Sequence, residues 1–180
     1  YDNLSVFHDY LTDATGFGYF ENGKTSGLAA YGEIKPKISE KFREVLTIID
    51  DGINFERKRY SKTSVNLNKV YPSEYNRYKI FRQSLGDTNI YRMCKEYLFH
   101  DIAATGEFVL YTTFLELLKN LKNETSLNKL VCSGGLFQNV ALNNKILESK
   151  IFDDVYFPMA ASDAGLSLGA ALYIENKLKP

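Results

Sequence analysis

The chain has 180 residues, 44% hydrophobic and 24% charged, the proportions of a globular protein rather than a disordered one. Its 22 basic and 22 acidic side chains cancel, so no global field calls for nucleic acid or an anionic membrane as partner. Cys94 and Cys132 are too few for a disulfide scaffold and lack zinc-ligand spacing, no apolar run reaches the roughly 18–20 residues of a membrane span, and no signal-peptide pattern opens the chain; a cytoplasmic protein with reduced thiols is expected.

The chain starts at Tyr1 without methionine and enters a helical pattern at once, which reads as part of a longer protein. Leu4, Phe7, Leu11 and Ala14 predict a helix over 4–15 that stops at Gly16. Asn22-Gly23 reads as a turn, and Gly27–Gly32 as a run of small residues between glycines. Phe42, Val45, Leu46 and Ile49 extend a helical spacing over 39–49, which ends at Asp51-Gly52. Ile53-Asn54-Phe55 has the character of a strand start. The segment 53–95 is polar and tyrosine-rich and reads as an insertion in a single partial domain covering 1–180.

The longest helical signal runs from Glu96 to Leu121, with Tyr111, Leu115 and Leu118 on one face. Lys129–Cys132 predicts a short buried strand that runs into Ser133-Gly134-Gly135. A helix over 138–148, a second strand over 154–157 and a last helix from about Asp163 follow. The small residues Gly165, Gly169, Ala170 and Ala171 suit close packing of that last helix on a neighbour. Strand, helix, strand, helix in this order implies a parallel pair with a right-handed crossover, hence an α/β fold.

Ser133-Gly134-Gly135 lies at a strand-to-helix junction, where open α/β sheets bind ligands. Glycines let the backbone approach a phosphate and the following helix offers N–H groups, with Asn139 about one turn on; the same turn also reads as a plain connection. Asp163, at another loop-to-helix junction, reads as a cap together with Ser162, or as a metal ligand beside a phosphate. His8 and His100 form no i, i+4 pair, and His8 reads as a packing or surface residue. Cys132 reads as an inert core thiol. Lys24 resembles half of a phosphate loop but lacks the glycine at the required spacing. Arg57-Lys58-Arg59 is too short a basic run for nucleic acid and reads as a solvated loop.

The ordered set of motifs is more specific than any member. Gly23-Lys24-Thr25-Ser26-Gly27-Leu28-Ala29-Ala30-Tyr31-Gly32, Asp101-Ile102-Ala103-Ala104, Ser133-Gly134-Gly135-Leu136-Phe137-Gln138-Asn139-Val140-Ala141-Leu142-Asn143, Phe152-Asp153-Asp154-Val155-Tyr156 and Ala161-Ser162-Asp163-Ala164-Gly165-Leu166-Ser167-Leu168-Gly169-Ala170-Ala171 together resemble the carbamoyltransferases related to nodulation and antibiotic carbamoylation. The resemblance implies the fold shared by actin, heat-shock ATPases and sugar kinases (ASKHA), of which this chain would be the C-terminal half. It also implies ATP and carbamoyl phosphate as substrates, a carbamoyl-adenylate intermediate and a small-molecule hydroxyl acceptor.

By the same resemblance Ser133, Gly134, Gly135, Asn139, Asp9 and Lys24 would bind the nucleotide. Asp163 would bind iron or another divalent metal, a reading that displaces the cap. The family's paired histidine ligands, its first phosphate loop and its carbamoyl-adenylate-forming C-terminal domain have no counterpart in these residues. The remaining ligands would therefore lie outside them, the isolated chain would be inactive, and its uncovered apolar surface would favour a homodimer. Neither membrane nor nucleic acid is expected as a partner. The resemblance extends to relatives that modify tRNA or mature hydrogenases; a sugar-kinase-like enzyme and a nucleotide-binding module without turnover are the other readings.

Overall fold

The structure, a computed structural model, describes residues 4–18, 21–49, 52–55 and 96–179, which fall into two compact units, Tyr1–Phe114 and Leu115–Pro180. In the first unit helix α1 (Leu4–Ala14) buries the four residues that predicted it, Leu4, Phe7, Leu11 and Ala14. Gly16, at φ +86°, turns the chain, and the N–H groups of Gly16 and Phe17 return to the carbonyls of Asp13 and Thr12.

Asn22-Gly23 does not form the expected turn: it opens a helix, α2 (Asn22–Ala29). One hydrogen bond to α1 and one within the preceding loop override the turn preference. Asn22 Nδ2 donates to Asp9 Oδ1 on α1 at 2.8 Å, and Glu21 Oε2 accepts from Gly18 N at 2.7 Å just before the helix.

Helix α3 (Pro36–Val45) carries its proline in the first turn, where no N–H is lost. It buries Ile38 and Phe42, and Phe42 meets Phe7 edge to face at 5.6 Å. The expected continuation of this helix to Ile49 is not formed. Strand β1 (Leu46–Ile49) takes over and pairs antiparallel with β2 (Gly52–Phe55), from Leu46↔Phe55 to Ile49↔Gly52. Thr47-Ile48-Ile49 is β-branched throughout, and such a run favours a strand once a partner lies beside it.

Helix α4 (Phe99–Thr125) starts three residues later than predicted and is 27 residues long. Its first part belongs to the first unit, where Ile102, Ala103, Val109 and Leu110 are buried. The 31–35 loop is tied to its start: Glu33 N donates to Asp101 Oδ1 at 2.8 Å and Lys35 N to Thr105 Oγ1 at 3.0 Å. No helix among the described residues is long and apolar enough to cross a membrane. Of the 53–95 segment, residues 56–95, which include Arg57-Lys58-Arg59 and Cys94, lie outside the described residues.

In the second unit β3 (Lys129–Val131) and β4 (Asp154–Tyr156) form the expected parallel pair, Lys129↔Asp154 to Val131↔Tyr156. Helix α5 (Val140–Ser149) connects them and buries Leu142 and Ile146, with Cys132 and Phe152 also in this core. The chain is thus α/β in character. The first strand is not buried as expected: Val131 is 71% exposed, and its register partner Tyr156 60%. The last helix, α6 (Leu166–Leu178), buries none of its residues, and nothing lies within reach of a side chain at Gly169, so the close packing its small residues suggested is not made within the described chain.

Candidate functional site

Because β3 and β4 are parallel, the loops that leave their carboxyl ends emerge on the same edge. These loops carry Ser133-Gly134-Gly135 and Ala160–Asp163. They are joined: Gly134 N donates to Ala161 O at 2.6 Å, and Gln138 Nε2 donates to Ser162 Oγ at 3.1 Å. Gly134 has φ +121°, a conformation that only glycine adopts without strain, so the turn depends on that residue. A one-turn 3₁₀ segment, Gly135–Gln138, leads into α5.

Asn139 is the N-cap of α5, its side-chain oxygen accepting from Leu142 N at 3.0 Å. Its predicted place near the ligand turn therefore coincides with a capping role in the fold. Asn143, one turn on, donates from Nδ2 to Phe137 O at 2.8 Å and holds the 3₁₀ segment to the helix, while its Oδ1 is buried without a hydrogen-bond partner. The ring of Phe137 lies 5.9 Å from that of Phe157, which links the two loops again on their apolar side. Asn143 closes the 133–143 run that resembles the family's nucleotide-site turn but has no individual role in that reading; its spacing of four from Asn139 is the signal that marks it.

Asp163 is exposed and begins a 3₁₀ turn, Asp163–Gly165, in which no side chain caps. The capping alternative is therefore not the one adopted: Ser162 Oγ faces Gln138 instead. Among the described residues no group of three or more His, Cys, Asp or Glu side chains is placed to hold a metal ion. Asp163 alone does not make a metal centre, and the metal reading extends to one ligand and no further.

Asp9 and Lys24 belong to the first unit. Asp9 sits between α1 and α2 and accepts from Asn22; burial raises its carboxyl above the ordinary range, with Asn22 and His8 opposing. Lys24 is exposed and pairs with Glu21, the residue just before its helix. Cys132 is buried and unbridged, and burial pushes its thiol up to about 11, in keeping with the inert role expected.

The same unit holds a cluster that sequence reasoning missed. His8 is not a plain packing or surface residue: its Nε2 lies 2.9 Å from Glu107 Oε1, and Ser26 Oγ donates to that same oxygen. Next to it, Thr25 Oγ1 donates to Thr12 Oγ1 at 3.0 Å. Both His8 and Glu107 are buried. The available signal was Glu107 itself, a charge on the face that Ala103, Leu110 and Phe114 mark as buried.

The sequence model of the carbamoyltransferase N-terminus family matches residues 4–172. The chain belongs to that family. It is 28% identical over 178 residues to nodulation protein NolO of Bradyrhizobium diazoefficiens, covering 99% of this chain and 29% of that protein. It is 27% identical over 177 residues to nodulation protein NolNO of Sinorhizobium fredii, covering 98% of this chain and 23% of that one. An uncharacterised Methanocaldococcus jannaschii protein, MJ1058, is 29% identical over 177 residues, or 96% of this chain and 26% of its own length. The chain thus spans less than a third of the curated relatives it matches.

Proposed function

We propose that this chain is the C-terminal half of an ASKHA-type nucleotide-binding core in an O-carbamoyltransferase. The observation that carries the reading is the joining of the two loops at the carboxyl ends of β3 and β4 through Gly134 and Ala161, at the position where α/β sheets receive small anionic ligands. Family membership supports carbamoyl transfer as the reaction class.

In this reading ATP and carbamoyl phosphate are the substrates: water releases inorganic phosphate from carbamoyl phosphate to leave carbamate, whose oxygen bonds to the α-phosphorus of ATP as pyrophosphate leaves, giving carbamoyl-adenylate as the intermediate. The oxygen of an acceptor hydroxyl bonds to the carbamoyl carbon, the bond from that carbon to the adenylate phosphate oxygen breaks, AMP leaves, and the hydroxyl proton passes to a base. Ser133, Gly134, Gly135 and Asn139 contact the nucleotide; for Asp9 and Lys24 the assignment to the nucleotide rests on the family resemblance alone. Asp163 supplies one ligand of a divalent metal, iron among the candidates, whose other ligands lie outside the described residues. Backbone donors fixed in place before reaction stabilise charge at such a centre more than mobile groups would.

The test uses the polypeptide as its gene encodes it. Label from carbamoyl phosphate is expected to reach a sugar or antibiotic hydroxyl only when ATP is present. Transfer to tRNA or to a cysteine acceptor instead would reassign the substrate class, and no ATP binding at all would remove the nucleotide reading. For Asp163→Ala, metal content and transfer rate are both expected to fall; both unchanged would take Asp163 out of the site.

A further inference from the structure

Helix α2 is an unusual element to find docked. It has eight residues, two of them glycines, and buries Thr25 alone. Glycine is the least favourable non-proline residue in a helix interior, and a helix of this length is marginal by itself. With no apolar stripe to bury, α2 is seated by hydrogen bonds.

These bonds lie in tiers along α1. Asn22 reaches Asp9 at one end, and Thr25 reaches Thr12, with Thr15 Oγ1 3.4 Å away, at the other. Beside them Ser26 donates to Glu107, whose accepting oxygen also faces His8. Of these three contacts it is the one that draws on α4, and its acceptor carries a charge. Bonds to charged acceptors are roughly twice as strong as neutral ones, and low surrounding polarity strengthens them further.

We propose that Glu107 is the positioning residue for α2: one carboxylate oxygen, oriented by His8, holds Ser26 and so keeps α2, with Lys24 on it, seated against α1. The seating of α2 stands on the contacts alone. Its consequence for ligand binding rests on the assignment of Lys24 to the nucleotide above.

Two readouts on the gene-encoded polypeptide separate these parts: amide hydrogen exchange of residues 22–29, and ATP affinity by calorimetry. Ser26→Ala removes the donor while giving the helix a better helix former. It is expected to speed exchange in α2 about fivefold with α1 and α4 unchanged, and to raise the ATP dissociation constant about threefold. Glu107→Gln keeps an acceptor oxygen but loses its charge, and is expected to fall between wild type and Ser26→Ala in both readouts. Glu107→Ala is expected to exceed Ser26→Ala; if it fails to fold, the other two variants carry the test. Unchanged α2 exchange in Ser26→Ala, or a Glu107→Gln protein in which α2 exchanges as fast as in Ser26→Ala, overturns the proposal. Faster α2 exchange with unchanged ATP affinity supports the seating and overturns the nucleotide role of Lys24. Absence of ATP binding in the wild type defeats the functional reading and leaves the exchange result to decide on Glu107.

Discussion

Glu107 shows how one residue can be expensive and useful at once. A buried carboxylate without partners would cost several kcal/mol. Burial alone raises its carboxyl, but the hydrogen bond and charge of His8, then Ser26 and Tyr111, outweigh that and hold it below the usual carboxylate range. Removing the carboxylate leaves His8 buried against nothing, so Glu107→Ala is expected to destabilise the protein by about 3 kcal/mol in urea denaturation. The pH dependence follows in sign. A carboxyl whose folded pKa lies below its unfolded one adds stability above the unfolded value and loses it as pH falls through the folded value. The urea midpoint should therefore drop more between pH 7 and pH 3 in the wild type than in Glu107→Gln; equal drops would mean that Glu107 is not the group responsible. None of this pairing was visible in sequence, because His8 and Glu107 stand 99 positions apart.

At the level of elements, local pattern read α1 and α4 well because their apolar spacing is long and unambiguous. It found α3 but ran past its end into β1, because Phe42, Val45, Leu46 and Ile49 fit a helix as well as a boundary, and the deciding partner, β2, is a separate strand. At α2 it failed because polar contacts to α1 and α4, not an apolar face, stabilise the helix. The ligand turn was legible as a motif, yet its atoms carry structural duties the motif does not announce. Asn139 separates the two duties. Asn139→Ala should cost about 1 kcal/mol through the lost cap. Asn139→Asp keeps a capping oxygen, with its charge at a helix N-terminus, and should match wild-type stability within about 0.5 kcal/mol. Its carboxylate repels phosphate, so ATP should bind it more weakly; unchanged affinity would leave Asn139 a cap alone. In the facing loop a Cβ at Gly165 would overlap the Ala160 carbonyl oxygen, part of the backbone that a side chain cannot displace cheaply. Gly165→Ala is expected to lower stability by about 2 kcal/mol, read from the same denaturation curves.

For the chain as a whole, the feature that bears on association is how much of the second unit faces outward. Parallel strands are ordinarily covered on both faces, yet Val131 and Tyr156 are exposed, and α6 presents Leu166, Leu168, Leu172, Tyr173, Ile174 and Leu178 to solvent. Composition could not reveal this, since an apolar helix has the same sequence whether or not a neighbour covers it. Apolar surface left in water forgoes about 25 cal/mol per Å² that burial would return, and a contiguous patch seeks a partner surface. Residues 1–180 expressed alone are therefore expected to associate, with an average mass in sedimentation that rises with concentration. The variant carrying Leu168→Glu and Leu172→Lys replaces two apolar side chains by a pair at i, i+4, which keeps the helix while removing its adhesion. That variant should sediment as a monomer with an unchanged circular dichroism spectrum. A wild-type chain that stays monomeric across the concentration range would show that exposure of α6 does not drive association; association persisting in the variant would place the contact elsewhere.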